Sequence, residues 1–203
     1  MKHHKITPTR RGFTLIELLV VITIIAVLSA VGFGAYTSVL KKGQKLDAKN
    51  DCSNVVLAVE SYYDEYLRLP AVRNRDTKTE TDTELMSILL GFDNTENPKG
   101  RRFFNGGKEA KGNSSATAFN GLYYSTDSAT PLVELFDPYP RDGKPKGRHY
   151  EVLLDGDYDD EIRDPTSTSA NKILRGKRVL VWTAGKDNSL SQEKDNVYSW
   201  KSK

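Results

Sequence analysis

The chain has 203 residues, with 30 lysines and arginines against 27 aspartates and glutamates and a formal net charge of +3. Lys2, Lys5, Arg10 and Arg11 carry four of those positive charges, so the rest of the chain stands near −1 and overall basicity gives no case for a nucleic-acid binder. Cys52 is the only cysteine, which excludes an intrachain disulfide. The length fits one small domain, two at most.

The first element is a basic leader followed by Gly12-Phe13-Thr14-Leu15-Ile16-Glu17. From Leu18 to Leu40 the chain carries no charge and is mostly Leu, Ile, Val and Ala. At about 1.5 Å per helical residue this run reaches roughly 34 Å, enough to cross a bilayer core. The leader's cations keep residues 1–12 on the cytoplasmic side under the positive-inside rule, although Lys41, Lys42 and Lys45 beyond the run weaken the asymmetry. Two plainer readings compete. A secretory signal has an apolar core of about 7–15 residues and a small-residue cleavage site, and here the run is longer, with Leu28-Ser29-Ala30 only a passable site. An uncut signal anchor is compatible with the hydropathy.

Glu17 at the mouth of the apolar run is the discriminating residue. The Gly12-Phe13 junction, Glu17 and the basic leader together resemble the N-terminus of the type IV pilin and type II secretion pseudopilin family. That resemblance implies cleavage between Gly12 and Phe13 by a prepilin peptidase and N-methylation of Phe13. It also implies a pairing of Glu17 with the N-terminal amine of a neighbouring subunit in a filament. Physical chemistry agrees with each role. Glycine leaves the chain unhindered in a peptidase cleft. A carboxylate one turn into a helix favours the positive end of the dipole. A charge within a bilayer costs about 2.5–3.5 kcal/mol at the centre and so calls for a partner.

Beyond residue 41, Ala48, Cys52, Val55, Val59, Tyr62 and Tyr66 recur at helical spacing, and Lys49, Asn50, Asn54, Glu60 and Asp64 occupy the other side. The helix is therefore expected to continue to about residue 67, with Pro70 as its latest end and Gly32, Gly34 and Gly43 as soft points. Cys52 and the tyrosines read as core packing. Tyr62-Tyr63-Asp64-Glu65-Tyr66 before Leu69-Pro70 resembles the end of the first helix in major pseudopilins.

Residues 71–130 read as a loop region. Within it Thr81-Asp82-Thr83-Glu84 forms a capping box for a short helix ending before Gly91. The stretch from Asp93 to Gly121 is rich in Asn, Gly, Lys and Ser. Asn97-Pro98-Lys99-Gly100 with Phe103-Phe104 resembles a pseudopilin loop. Lys99, Arg101, Arg102, Lys108 and Lys111 read as a solvated loop, because no nucleic-acid-binding signature accompanies them.

Strands are expected at 132–136, 149–154 and 178–183, with a shorter one at 197–200. A long helix followed by strands without intervening helices predicts an α+β fold. The long N-terminal transmembrane helix, 13–40, continues as an amphipathic helix packed on a small C-terminal antiparallel sheet within 131–203. Asp137-Pro138-Tyr139 resembles the Asp-Pro-Trp turn of major pseudopilins, with tyrosine in place of tryptophan and an insertion at 141–147.

Two acidic loops are candidate cation sites. Asp155, Asp157 and Asp159 alternate as carboxylates do around calcium, a hard ion that takes 6–8 oxygens. An EF-hand is excluded, since Asp160 stands at its glycine position and Thr166 at its terminal glutamate. The second loop, Gly185 to Asn196 before Trp200, resembles the C-terminal calcium loop of major pseudopilins. That likeness implies Ca2+ ligands at Asp187, Asp195 and Asn196. His149 is the only histidine beyond the leader, no zinc spacing or phosphate loop is present, and the chain reads as no enzyme.

The resemblance implies a structural subunit of a type II secretion pseudopilus, single-pass in the inner membrane with its domain from residue 41 in the periplasm. Its partners would be prepilin peptidase, copies of itself and other pseudopilins, an inner-membrane assembly platform and membrane lipid. A type IV pilin subunit and a membrane-anchored binding module that never polymerises are the alternatives.

Overall fold

A computed structural model describes residues 12–70, 78–126, 131–140, 146–167, 172–191 and 194–201, without the side chains of 31–35. The leader through Arg11 and most of the 141–147 insertion lie outside the described residues.

Helix α1 spans Leu15–Tyr66. Its start is set by a reciprocal cap. The Thr14 hydroxyl accepts the Glu17 N–H at 3.3 Å, while the Glu17 carboxylate accepts the Thr14 N–H and hydroxyl, each at 2.8 Å. This Thr-x-x-Glu box holds two amides that a helix start would leave unpaired, and it places the first helical residue two beyond Phe13. At the other end Leu67 turns to φ 53 and its N–H bonds Tyr63 O at 2.7 Å, which closes the helix at Tyr66.

The chain divides into two units, Met1–Lys42 and Gly43–Lys203. In the first, the apolar side chains of α1 lie exposed, with Leu15, Ile16, Ile22 and Leu28 each more than half open. The structure does not show the transmembrane span expected over 13–40; it shows an exposed apolar helix there. Among the described residues no helix is long and apolar enough to cross a membrane.

In the second unit α1 buries the face its spacing predicts: Ala48, Cys52, Val55, Val59 and Tyr62 are fully covered. Part of the cover is α2, Thr83–Leu90, which buries Leu85, Met86, Ile88, Leu89 and Leu90. Its N-cap is Asp82, one residue later than the capping box predicts; Asp82 Oδ1 accepts the amides of Glu84 and Leu85 at 3.1 and 3.2 Å. Thr81 is unavailable for capping because its buried hydroxyl donates to Leu135 O at 2.8 Å and accepts Tyr150 N–H at 2.9 Å. Gly91 ends α2 at φ 83, where an added Cβ would sit 2.6 Å from Gly100 O, so no other residue fits.

The loop after α2 is ordered around Asn97, which is fully buried. Its Nδ2 donates to Ile88 O at 2.8 Å and Arg101 O at 2.7 Å, and its Oδ1 accepts the Tyr66 hydroxyl at 2.7 Å and Arg101 N–H at 3.1 Å. One amide thus joins the end of α1, α2 and the loop.

Among the described residues eight strands form three antiparallel groups. β1 (Thr79–Glu80), β4 (Glu151–Leu154), β7 (Val179–Thr183) and β8 (Val197–Tyr198) form a four-stranded sheet in the order β1-β4-β7-β8. β2 (Gly121–Ser125) pairs with β3 (Leu132–Phe136), and β5 (Glu161–Arg163) with β6 (Ile173–Arg175). The α+β architecture is as expected, but β3 stands outside the main sheet. β7 is buried throughout, which its unbroken apolar run Val179-Leu180-Val181-Trp182 requires. Val179 and Val181 face the core on α1, whereas Leu180 and Trp182 join Ile162 and Tyr198 on the other side.

Two polar substitutions separate the cap from the buried hydroxyl. Asp82→Ala should cost about 1 kcal/mol, the usual value of an N-cap. Thr81→Val should cost about 1–3 kcal/mol, because Leu135 O and Tyr150 N–H lose a partner in the core. Denaturant unfolding of the full chain checks the order, and a larger loss for Asp82→Ala would contradict it.

Candidate functional site

The processing junction is built from three features. Gly12, Phe13 and Thr14 lie ahead of α1 in no regular element, so the Gly12–Phe13 bond is free of helical hydrogen bonding. Phe13 is 79% exposed, and nothing approaches within 4 Å of where a Gly12 side chain would be. The capping box then begins the helix directly after the junction. Glu17 was expected to need a partner in another subunit; within the chain it already holds Thr14. The Thr14-x-x-Glu17 spacing of this box is visible in the sequence.

The C-terminal loop is closed by its own hydrogen bonds. Asp195 Oδ2 accepts Lys186 N–H at 2.7 Å and Asp187 N–H at 3.4 Å, and Asp187 Oδ1 accepts Ser189 N–H at 2.9 Å. Gly185, at φ 67, lies so close that a Cβ would meet Asp195 Cγ at 2.6 Å. Asn196 is buried; its Nδ2 donates to Ser189 O at 3.0 Å and the Tyr198 hydroxyl at 2.9 Å, and its Oδ1 has no partner. The loop therefore gathers Asp187, Asp195 and Asn196, yet backbone amides occupy an oxygen of each aspartate.

The other acidic loop brings Asp155, Asp157 and Asp159 face to face, each offering a carboxylate oxygen within 4.8 Å of the others. Asp155 is buried and its neighbours are exposed. Burial raises the Asp155 pKa, and the adjacent Asp157 carboxyl raises it further.

The C-terminus is held by a device that the sequence does not announce. The Lys49 ammonium, on α1, donates to Tyr198 O at 2.8 Å and Lys201 O at 2.9 Å. Ser199 bonds Val181 through both its N–H and its hydroxyl, at 2.9 and 3.0 Å, and Trp200 packs edge-on against Trp182. Asp137 is a second latch. Its fully buried carboxylate accepts the Arg148 and Tyr139 amides at 3.0 and 3.3 Å and the Thr183 hydroxyl at 2.7 Å. The Asp-Pro-Tyr turn thereby joins the end of β3 to β7.

Three of the five basic loop residues are matched by acids. Lys99 and Arg101 both pair with Glu65, and Lys108 pairs with Asp47 at 2.6 Å. An open cavity of about 330 Å³ lies elsewhere, with Glu80, Lys146, Arg148, His149 and Glu151 among its lining, so its walls carry both signs. His149 stacks on Phe136 and bonds Glu80 at 3.2 Å and Glu134 at 3.1 Å. Cys52 is buried, and burial pushes its thiol well above the usual range, in keeping with packing.

Residues 8–33 match the family described as the prokaryotic N-terminal methylation motif. Prepilin peptidase-dependent protein D of Escherichia coli (strain K12) is 60% identical over 38 residues, which cover 19% of this chain and 26% of that protein. The match thus spans about a quarter of the relative's length. No solved structure matches the chain. The methylation motif and the exposed Gly12–Phe13 junction define a prepilin-type N-terminus. It is the N-terminus that type IV pilins and pseudopilins share.

The buried acids set the pH response. Burial raises Asp51, bonded by the Tyr150 hydroxyl at 2.9 Å, to about 6, and raises Asp137 to about 6. In each the folded state binds a proton more readily than the unfolded, so stability grows as pH falls from about 6 toward the ordinary carboxylate range. Burial lowers His149, but bonds to Glu134 and Glu80 outweigh it and the net pKa is raised. Its contribution is complete below the unfolded value and lost as pH rises through the folded one. Burial also raises Glu134, but His149 and Ser115 outweigh it and the net pKa is lowered, so its contribution is lost in stronger acid. Thermal unfolding of the detergent-solubilised chain should therefore give a higher Tm at pH 5 than at pH 8. Asp51→Asn, which keeps an acceptor for Tyr150, should flatten the slope between pH 5 and 6.5. A Tm that climbs from pH 5 to 8 would contradict both assignments.

Proposed function

We propose that this chain is a structural subunit of a type II secretion pseudopilus, cut by a prepilin peptidase between Gly12 and Phe13 and methylated on Phe13. The observation that carries this reading is the methylation motif over 8–33, placed on an exposed junction directly ahead of a capped, apolar helix. The exposed face from Leu15 to Leu28 needs cover from lipid or from other helices. A membrane anchor before assembly and a filament core after it supply both, with the domain from Gly43 onward in the periplasm. A C-terminus that closes without a disulfide, through the Asp137 turn and a near-terminal Trp200, supports the secretion system over a pilus. Copies of the chain, other pseudopilins and an inner-membrane platform are the partners of that assembly.

Glu17 carries a double role in this proposal. It caps α1 within its own chain, and it offers its charge to the methylated ammonium of a neighbour. Glu17→Gln separates the two, because glutamine preserves a capping box but not the charge. The Gln variant should be cut normally and keep its helix, yet enter filaments poorly; normal incorporation would remove the pairing. Mass spectrometry of the membrane-extracted protein should find methylated Phe13 at its N-terminus, and Gly12→Val should leave the leader attached. An intact leader on the wild-type chain, in cells with an active prepilin peptidase, would overturn the proposal.

A further inference from the structure

The turn between β4 and β5 departs from the pairing seen elsewhere in the domain. Asp155, Asp157 and Asp159 each present an oxygen within 4.8 Å of the others. Two oxygens that share a calcium ion at about 2.3–2.6 Å lie at most roughly 5 Å apart, so all three fit around one ion. Among the described residues no lysine or arginine pairs with any of them. The neighbouring arginines are committed elsewhere, Arg175 to Glu161 at 2.9 Å and Arg178 to Glu60 at 3.1 Å.

A second observation comes from the hydrogen bonds. Asp155 is only 3% exposed; its Oδ2 accepts the Asp160 N–H at 3.0 Å, while its Oδ1 is buried and has no partner. An unpaired buried carboxylate oxygen is costly, and more so beside other carboxylates. Asp159 Oδ1 accepts the Glu161 N–H at 2.8 Å, which fixes the Asp159 side chain within the turn. The backbone is anchored as well, with Asp155 N–H on Arg178 O and Gly176 N–H on Asp160 O.

We infer that the Asp155–Asp159 turn is a calcium-class divalent cation site, with Asp155 as the buried ligand and Asp157 and Asp159 closing it from solvent. Water and backbone carbonyls complete the shell, which suits calcium's flexible coordination better than the strict octahedron of magnesium. The site also reaches α1. The Tyr158 hydroxyl accepts the Leu69 N–H at 3.0 Å, so an ion that stiffens the turn also stiffens the chain leaving the helix. The expectation from resemblance put the ion at Asp187, Asp195 and Asn196. The geometry favours the other loop, where three carboxylates converge within 4.8 Å and a buried Asp155 oxygen is left without a partner.

The test uses the full chain in detergent, with terbium luminescence excited through tyrosine as the probe and calcium or magnesium as competitor. The wild type should bind terbium, release it to calcium at far lower concentration than to magnesium, and melt at higher temperature with calcium. The double variant Asp157→Asn/Asp159→Asn alters exposed side chains only and removes like charges beside Asp155, so its calcium-free Tm should be no lower than that of the wild type. It should need roughly tenfold more calcium, or greater, for the same displacement. Asp195→Ala should leave the calcium affinity of the turn unchanged. Absence of terbium or calcium binding in the wild type would overturn the site. So would a calcium response that survives the double variant, or one that only Asp195→Ala removes, which would move the ion to the C-terminal loop.

Discussion

The main core of the domain is arranged around one requirement, the burial of a narrow stripe on α1 from Ala48 to Tyr62. Full burial of a Val- or Leu-sized side chain is worth about 1.5–3 kcal/mol, so five covered positions outweigh any single polar contact in the domain. No one element is wide enough to cover the stripe. α2 brings Leu85, Met86 and Leu89, β3 brings Val133 and Leu135, and the main sheet brings Val152, Val179 and Val181. The short helix, β3 and the main sheet are pieces of one cover. For this reason β3 can leave the main sheet and still belong to the core.

Apolar burial does not choose between neighbouring registers; buried polar groups do. Asn97, Thr81 and Asp137 each bond atoms from elements far apart in the chain. Their satisfied partners exist in one arrangement only. A slip of β4 by one residue would take Tyr150 N–H from the Thr81 hydroxyl and leave both unpaired in the core. Asp137 pays for its place with a raised pKa, which makes it a conditional latch whose strength varies with pH.

The legible parts of the sequence were those with repetition. The α1 face showed itself through repeated 3- and 4-residue steps, and β3, β4 and β7 through short segments rich in strand formers and bounded by Gly, Pro and Asp. β1, β5 and β6 span two or three residues each, too few for any period to register, whereas β8 falls within the short strand expected at 197–200. β2 was missed because Gly121-Leu122-Tyr123-Tyr124 follows a long polar loop and alternates weakly. The cap of α2 was displaced by one residue because Thr81 and Asp82 are both good caps, and only the distant Tyr150 and Leu135 decide between them. Of the candidate sites, the junction at Gly12 was plain from local residues. The acidic turn was visible as spacing, but the orphaned Asp155 oxygen depends on burial by the fold. Lys49 carried no signal, since its partners are carbonyls at the far end of the chain.

The absence of a disulfide places a specific demand on α1. Without a covalent staple, β8 and Trp200 are held by Lys49, Ser199 and the Trp182 ring, and the first of these belongs to the helix. The ammonium bonds two carbonyls that strand pairing leaves free, so its removal would expose the end of the sheet. Arg178 makes a parallel contact farther along, pairing with Glu60 and lying over the Tyr63 ring at 4.3 Å. The polar positions of α1 are thus as structural as its apolar stripe. Lys49 and Glu60 read as solvent-facing by period alone, yet they tie the two ends of the cover to the helix. A helix face that looks free in sequence is here the one that replaces the staple.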